Sequence, residues 1–422
     1  MKRFLFQIVN ILIIFIFITS IPYTTFADDY SESNEIIDVS SEILETTSRE
    51  NNTLEASAIN SRSCIVFDRN SQTILYGKNE QKQVKMASTT KIMTAIIVIE
   101  NANLEETIEV SKKAANTGGS RLGLKTGDKI KISDLLYGLM LVSGNDAAVA
   151  LAEHIGGNIE GFANLMNEKA KELNLKNTHY ESPHGLDSDG HYTTAYELAK
   201  LTDYALKNRI FSKIVGTKNY AITINGYSKS LSNTNELLGN LDGVYGVKTG
   251  FTNGANRCLV TSCKRDNMDI ICVVLGADTK KFRTQDSIKL IEFAFNNFTY
   301  INVNDIANEA FEKWKKENLE DLNIYKSSSK SINLSLENLE NPILSINKNS
   351  YNNINTSIHI YPDLEAPITS NTTLGTLTIQ SEDKDLVTLN ITTSSQINRK
   401  DIYYYFHYFF TNYTDILEKS LT

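Results

Sequence analysis

The chain predicts an α+β fold in two domains, and three patterns predict it. Cys64-Ile65-Val66-Phe67-Asp68 and Thr73-Ile74-Leu75-Tyr76 bracket the polar tip Arg69-Asn70-Ser71-Gln72 and read as a hairpin. Leu259-Val260-Thr261 and Ile270-Ile271-Cys272-Val273-Val274-Leu275 form a second hairpin, and a mostly helical stretch separates the two. After about Phe298 short alternating runs take over: Ile332 to Leu336, Thr376 to Ile379 and Leu386 to Ile391. They predict a smaller, β-rich second domain without a visible catalytic cluster. A chain of 422 residues can form both domains with a core that needs no disulfide staples.

The ends and linkers read in order. Lys2 and Arg3 precede an apolar run from Phe4 to about Ile21, and Thr25-Phe26-Ala27 is an acceptable cleavage site. Residues 1–27 are therefore expected to be an export signal, which places the protein outside the cytoplasm. The run is long for a signal, so an uncleaved anchor stays open. Residues 28–58, rich in Ser, Glu and Asn, predict a flexible linker. The first domain is expected over 59–298, with Ile288 to Phe298 as its closing helix, the β-rich domain over 299–396 and an aromatic tail over 397–422. Arg283, just before that helix, is expected as an exposed arginine or a carboxylate binder, the former favoured.

Net charge is −8, and losing Lys2 and Arg3 would make the chain more acidic still. With no basic cluster this argues against nucleic acid, and against membrane binding through anionic lipid. The four cysteines form no framework. Cys263 and Cys272 lie symmetrically about an expected turn at Asp266-Asn267-Met268. A disulfide and two reduced, packed thiols both fit, the thiols better.

Three motifs carry the chemistry: Ser88-Thr89-Thr90-Lys91, Ser143-Gly144-Asn145 and Lys248-Thr249-Gly250. Alone, each has an ordinary reading as helix surface, turn or loop. Together they describe serine acyl transfer with lysine as base. A serine hydroxyl attacks only when a neighbour takes its proton, and residues i and i+3 share a helix face, so Lys91 falls one turn beyond Ser88. Ile92 to Ile99 is apolar nearly throughout and suggests a buried helix, though its β-branched residues also permit a strand. Burial and a second positive charge, with Lys248 the candidate, would bring a lysine pKa down from about 10.4 toward neutrality.

With these motifs the chain resembles the penicillin-binding serine-type D-alanyl-D-alanine carboxypeptidases of the bacterial cell wall. The string His184-Gly185-Leu186-Asp187 and the following Thr194-Ala195-Tyr196-Glu197-Leu198-Ala199 are also similar to that family, with Thr194 and Glu197 in a capping-box pattern. The fold implied is a central antiparallel sheet with N- and C-terminal strands adjacent, a helical subdomain, and the site between them. Leu364 to Leu377 resembles the β-rich C-terminal domain of the same family. The resemblance implies Ser88 as nucleophile, Lys91 as base and Ser143 as proton relay. It implies Asn145 on the substrate amide, and Lys248 with Thr249 on the terminal carboxylate. Gly250 is expected to admit the substrate close to an edge strand, and the backbone N–H groups of Ser88 and Phe251 to form the oxyanion hole. The partners implied are the peptidoglycan stem peptide and β-lactam inhibitors. No metal or organic cofactor is implied.

His184, Asp187 and His191 suggest a zinc set, but no His-Glu-x-x-His spacing exists, and a loop histidine satisfied locally is preferred for His184. In class A β-lactamases a glutamate positions the deacylating water. Aligned on Glu172-Leu173-Asn174, Ala170 stands in its place, and Phe162 to Asn174 reads as an amphipathic helix. Penicillin is therefore expected to inhibit. An endopeptidase cutting cross-links and a non-catalytic penicillin-binding scaffold remain the competing functions. In the tail, Ile402, Phe406, Phe409, Tyr413, Ile416 and Leu417 recur at helical spacing. An in-plane membrane helix over 402–417 is the first reading, and packing onto the β domain is nearly as good. Over 402–417 the tail lacks the basic residues usual in the family.

Overall fold

The structure, a computed structural model, describes residues 37–47, 54–329, 332–382 and 384–421. The expected signal over 1–27 lies outside them. Among the described residues no helix is long and apolar enough to cross a membrane.

The chain begins with α1 (Val39–Thr47), β1 (Ser63–Asp68) and β2 (Ile74–Lys78). A 3₁₀ turn, Ala87–Thr90, runs into α2 (Lys91–Asn101), followed by β3 (Thr107–Glu109), β4 (Lys129–Lys131), α3 (Ile132–Leu141), α4 (Asn145–Gly156) and α5 (Ile159–Glu172). Next come α6 (Ala195–Lys207), α7 (Arg209–Val215), β5 (Asn219–Ile224), β6 (Tyr227–Ser232), β7 (Val244–Thr252), β8 (Asn256–Arg265), β9 (Met268–Ala277) and α8 (Lys280–Asn297). The remainder is β10 (Phe298–Asn302), α9 (Val303–Asn318), β11 (Leu334–Leu336), β12 (Ile343–Asn347), β13 (Ile354–Ile360), β14 (Thr373–Ser381), β15 (Lys384–Thr393) and α10 (Ile402–Leu421).

The central sheet has the order β2-β1-β9-β8-β7, all antiparallel, so β1 lies beside β9 as the resemblance implied. Side chains alternate between its two faces. Ile65 and Phe67 join the helical subdomain's core, while Cys64 and Val66 face α8 through Ile288, Ile291 and Ala294. A sheet covered on both faces explains why β1 and β9 read as continuous apolar runs. Helix wins for Ile92 to Ile99, because the run is wrapped on all sides by the subdomain core.

Several expectations need correction. The linker expected over 28–58 contains α1. Val39 and Ile43, four residues apart, pack against the α8 side of the sheet, and Glu42 accepts from Gln285 at 2.7 Å and pairs with Lys281 at 3.3 Å. Ser- and Glu-rich composition hid a one-sided helix. The β8–β9 turn has two residues, Asp266-Asn267, with Asp266 at φ 47°. Its register sets Cys263 opposite Ile270 and Cys272 opposite Thr261, so the two cysteines do not face each other. All four cysteines are buried thiols, and burial pushes the Cys64 and Cys263 thiols up to about 12. The closing helix starts earlier than expected, at Lys280, capped by the Thr279 side chain.

The C-terminal region holds a sheet of order β11-β15-β14-β13. The unanticipated α9 covers it through Val303, Ala307 and Phe311. β10 follows α8 directly and pairs with β12 over five residue pairs, Phe298 to Asn302 with Asn347 to Ile343. Ser345 of β12 also donates to Asp68 at 2.7 Å. The bond from Ser345 thus joins this region to β1 of the first.

Arg283 is neither exposed nor open to substrate. It is fully buried on α8 and donates twice to Glu236, at 2.6 and 2.8 Å. Burial alone would raise the Glu236 carboxyl, but Arg283 and Thr284 hold it below the usual range. This pair fixes the segment leading into β7. Arg283→Met, which leaves the Glu236 carboxylate without its opposite charge and held by Thr284, is expected to cost about 3–5 kcal/mol in urea unfolding. Removing both charges in Arg283→Met/Glu236→Leu is expected to recover much of that loss.

Candidate active site

The 3₁₀ turn presents Ser88 and Lys91 on one side, one turn apart, as the motif spacing predicts. Lys91 is fully buried, and its Nζ lies 2.8 Å from Ser88 Oγ. Two further acceptors hold it: Asn145 Oδ1 at 2.7 Å and the His184 carbonyl at 2.9 Å. Each of the three partners comes from a different part of the chain.

Glycines let those parts close on the turn. Gly185 has φ 85°, and a Cβ there would lie 2.0 Å from the Ala87 carbonyl oxygen. Gly250 on β7 packs against the backbone of Ser88, since a Cβ would meet Ser88 N at 3.1 Å. The close approach expected between substrate and Gly250 is therefore also a contact within the protein. In the second motif it is the serine, not the glycine, that takes the unusual backbone angle. Gly144 has φ −58°, and the left-handed residue is Ser143 at φ 60°. Gly144 is instead needed for space, because a Cβ would come within 2.9 Å of Asp146 Oδ1.

Ser143 is buried, and among the described residues its Oγ has no hydrogen-bond partner. It is bonded to neither Ser88 nor Lys91. Asn145 spends one amide N–H on the Gly118 carbonyl at 2.8 Å, so its side chain is locked facing Lys91. Lys248 is buried on β7 and donates to the Thr249 carbonyl at 2.9 Å. The Thr249 hydroxyl pairs with that of Thr234 at 2.7 Å. β7 is the outer strand of its sheet, so the Lys248-Thr249-Gly250 segment has a free edge. Phe251 follows, its ring covered by Arg257 at 3.8 Å.

Two carboxylates were missed as positioning groups. Asp146, adjacent to the second motif at the start of α4, accepts from the backbone N–H groups of Leu122, Gly123 and Leu124 at 2.7, 2.7 and 2.9 Å. Its place in a first helical turn was the available signal. Asp187 accepts from Thr252 Oγ1 at 2.7 Å and Gly254 N at 2.8 Å, which ties the His184 loop to the end of β7. The capping box at Thr194 is half formed. Thr194 accepts from Glu197 N at 3.1 Å, but the Glu197 carboxylate turns to Asn177 N and Thr178.

The histidines are satisfied locally. His191 Nδ1 accepts from Glu181 N at 3.0 Å, so its Nε2–H faces Thr90 Oγ1 at 2.8 Å, and Thr90 donates on to Ala87 O. His184 Nδ1 accepts from Leu186 N at 3.3 Å. With Asp187 engaged by β7, each member of the weighed zinc set has its own protein partner. Ala170 is buried on α5, with no carboxylate at that position.

Known proteins match along this layout. The family described as D-alanyl-D-alanine carboxypeptidase, peptidase S11, matches residues 50–279, and the C-terminal domain of penicillin-binding protein 5 matches 313–399. The D-alanyl-D-alanine carboxypeptidase DacF of Bacillus subtilis (strain 168) is 34% identical over 77% of this chain and 82% of its own length. The crystal structure of the D-alanyl-D-alanine carboxypeptidase DacD from Francisella tularensis aligns at a TM-score of 0.68 and 26% identity, over 83% of this chain and 96% of that one. Penicillin binding protein 5 from Haemophilus influenzae aligns at 0.65 and 27%, over 82% of this chain and all of that one. On this family match over most of the first domain, the chain belongs to the D-alanyl-D-alanine carboxypeptidases of peptidase family S11.

Proposed function

We propose that the protein removes the terminal D-Ala from peptidoglycan stem peptides through an acyl-enzyme on Ser88, outside the cytoplasm, and that β-lactams block it by acylating the same residue. The observation that carries the reading is the surrounding of Lys91. Asn145 Oδ1 and the His184 carbonyl can only accept. A neutral lysine amine gives them its two N–H groups, and its lone pair then faces Ser88 Oγ at 2.8 Å. That leaves Lys91 arranged to take the hydroxyl proton.

The steps follow. Ser88 Oγ bonds to the penultimate D-Ala carbonyl carbon as its proton passes to Lys91. The oxyanion is held by the N–H groups of Ser88 and Phe251. The C–N bond breaks, and terminal D-Ala leaves as an amine protonated through Ser143 or a lysine. Lys248 and Thr249 hold its carboxylate. Water then adds to the ester, returns the proton to Ser88 and releases the trimmed peptide. The absence of a carboxylate at Ala170 supports slow release of penicillin and inhibition by it.

A tripeptide ending in D-Ala-D-Ala is expected to release free D-Ala. Ser88→Ala is expected to lower that rate at least about a thousandfold while the fold remains. Mass spectrometry of the penicillin adduct should map it to the peptide carrying Ser88. Intact tripeptide despite labelling would leave the scaffold function, and cleavage of a cross-linked dimer alone would favour the endopeptidase.

The histidines give a pH dependence. Burial brings His184 down to about 3 and His191 down to about 4. Unfolded histidine titrates near 6.5. The unfolded chain therefore binds protons below about pH 6.5 that the fold refuses, and stability is full above that pH and falls on acidification. The urea midpoint is expected to drop between pH 7 and pH 5. A flat profile would show that the rings protonate as freely in the fold.

The tail α10 supports a peripheral membrane contact through 402–417. Tyr403, Phe406, Phe409 and Phe410 are exposed rather than packed on the β sheet. No Asp, Glu, Lys or Arg occurs from Ile402 to Tyr413. Binding to zwitterionic vesicles is expected to withstand high salt and to be lost on truncation after Asp401, as read by co-sedimentation.

A further inference from the structure

A polar groove of about 810 Å³ lies apart from Ser88, on the small sheet β3-β4-β5-β6. It exists because β4 and β5 stay together only briefly, through Ile130 with Ile224 and through Asn225 N donating to the Lys129 carbonyl at 3.0 Å. Toward Thr223 the strands part, and Asp134 at the start of α3 enters the gap, accepting from Thr223 N at 2.9 Å. Tyr220 forms one wall. Its ring stacks on Tyr137 with centroids 3.5 Å apart, which holds it rigid and half-exposed along the groove. At the rim Lys131 and Glu105 pair at 2.8 Å, and Thr107 is exposed beside them.

This lining suits a sugar. A pyranose ring offers an apolar C–H face to an aromatic wall, and its hydroxyl and acetamide groups can exchange hydrogen bonds with carboxylate, ammonium and hydroxyl side chains. The volume falls in the range of small-molecule sites, roughly 300–1,000 Å³.

Position argues for the same ligand class. α3 starts at the groove and ends just before Ser143, a rise of about 15 Å at 1.5 Å per residue. From the other side, Lys229 on β6, the neighbour of β5, donates to the Leu122 carbonyl in the segment Asp146 holds. An extended peptide advances about 3.4 Å per residue, so four residues span roughly 14 Å. In a stem peptide four residues separate the sugar from the scissile bond.

We infer that this groove binds the amino-sugar glycan of the cell wall while the attached stem peptide reaches Ser88. The inference rests on the carboxypeptidase reading. The test compares D-Ala release from a free pentapeptide and from the same pentapeptide on its N-acetylglucosaminyl–N-acetylmuramyl disaccharide. The wild-type protein is expected to show a KM roughly five- to tenfold lower for the disaccharide form, the scale of one aromatic contact plus one hydrogen bond. Tyr220→Ala and Thr107→Arg are each expected to bring the ratio near one while kcat/KM for the free peptide stays unchanged. Thr107 is exposed, so its variant blocks the groove without disturbing the core. Release from both substrates with equal KM in the wild type, or a ratio retained in both variants, overturns the inference alone. No release from either substrate overturns the carboxypeptidase reading and the inference with it.

Discussion

The burial of Lys91 is the constraint on which the site depends. A lysine nitrogen taken out of water must have its hydrogen-bonding capacity met by the protein. Here the partners come from its own turn, from the start of α4 and from the His184 loop. Each must stay within hydrogen-bond reach, so three segments far apart in sequence are drawn onto one atom. Two of them can only accept, and that asymmetry gives a symmetrical amine a direction.

The supporting parts follow from that demand. Asp146 holds the 122–124 backbone, Asp187 holds the turn after β7, and the buried Arg283–Glu236 pair holds the entry to β7. In each case a carboxylate with two or more donors stands where a loop meets a regular element. Asp146 and Glu236 cost free energy to bury and repay it by fixing one arrangement, while Asp187 ties its loop at the surface. The left-handed Ser143 belongs with them. A non-glycine residue at positive φ survives where its surroundings over-determine it, and Ser143 sits between α3 and α4, both packed in the core.

Much of this was legible in the chain. Hairpins at 64–76 and 259–275 show themselves through alternation and polar tips, and the three motifs mark Ser88, its neighbour Lys91 and the edge strand. What stayed hidden was set by distant parts. Arg283 looks like any arginine near a helix start until Glu236 arrives from another loop. The offset of Cys263 and Cys272 depends on a turn of two residues rather than three, a difference that composition does not carry. α1 was concealed because only two of its residues, Val39 and Ile43, needed to be apolar for docking. Glu197 has the right spacing for a capping box, yet the backbone at Asn177 competes for its carboxylate.

The place of β1 beside β9 has a consequence in time. Ser63 pairs with Leu275, and Asp68 with Ile270, so the middle of the sheet is closed by strands at opposite ends of the first domain. During synthesis the β1–β2 hairpin emerges early but lacks its inner neighbour until β9 has been made. Its apolar faces stay unsatisfied through that interval, and closing so long a loop is entropically slow. The first domain therefore completes as a unit after its last strand appears. Until then the inner edge of β1 stays open to whatever handles the chain.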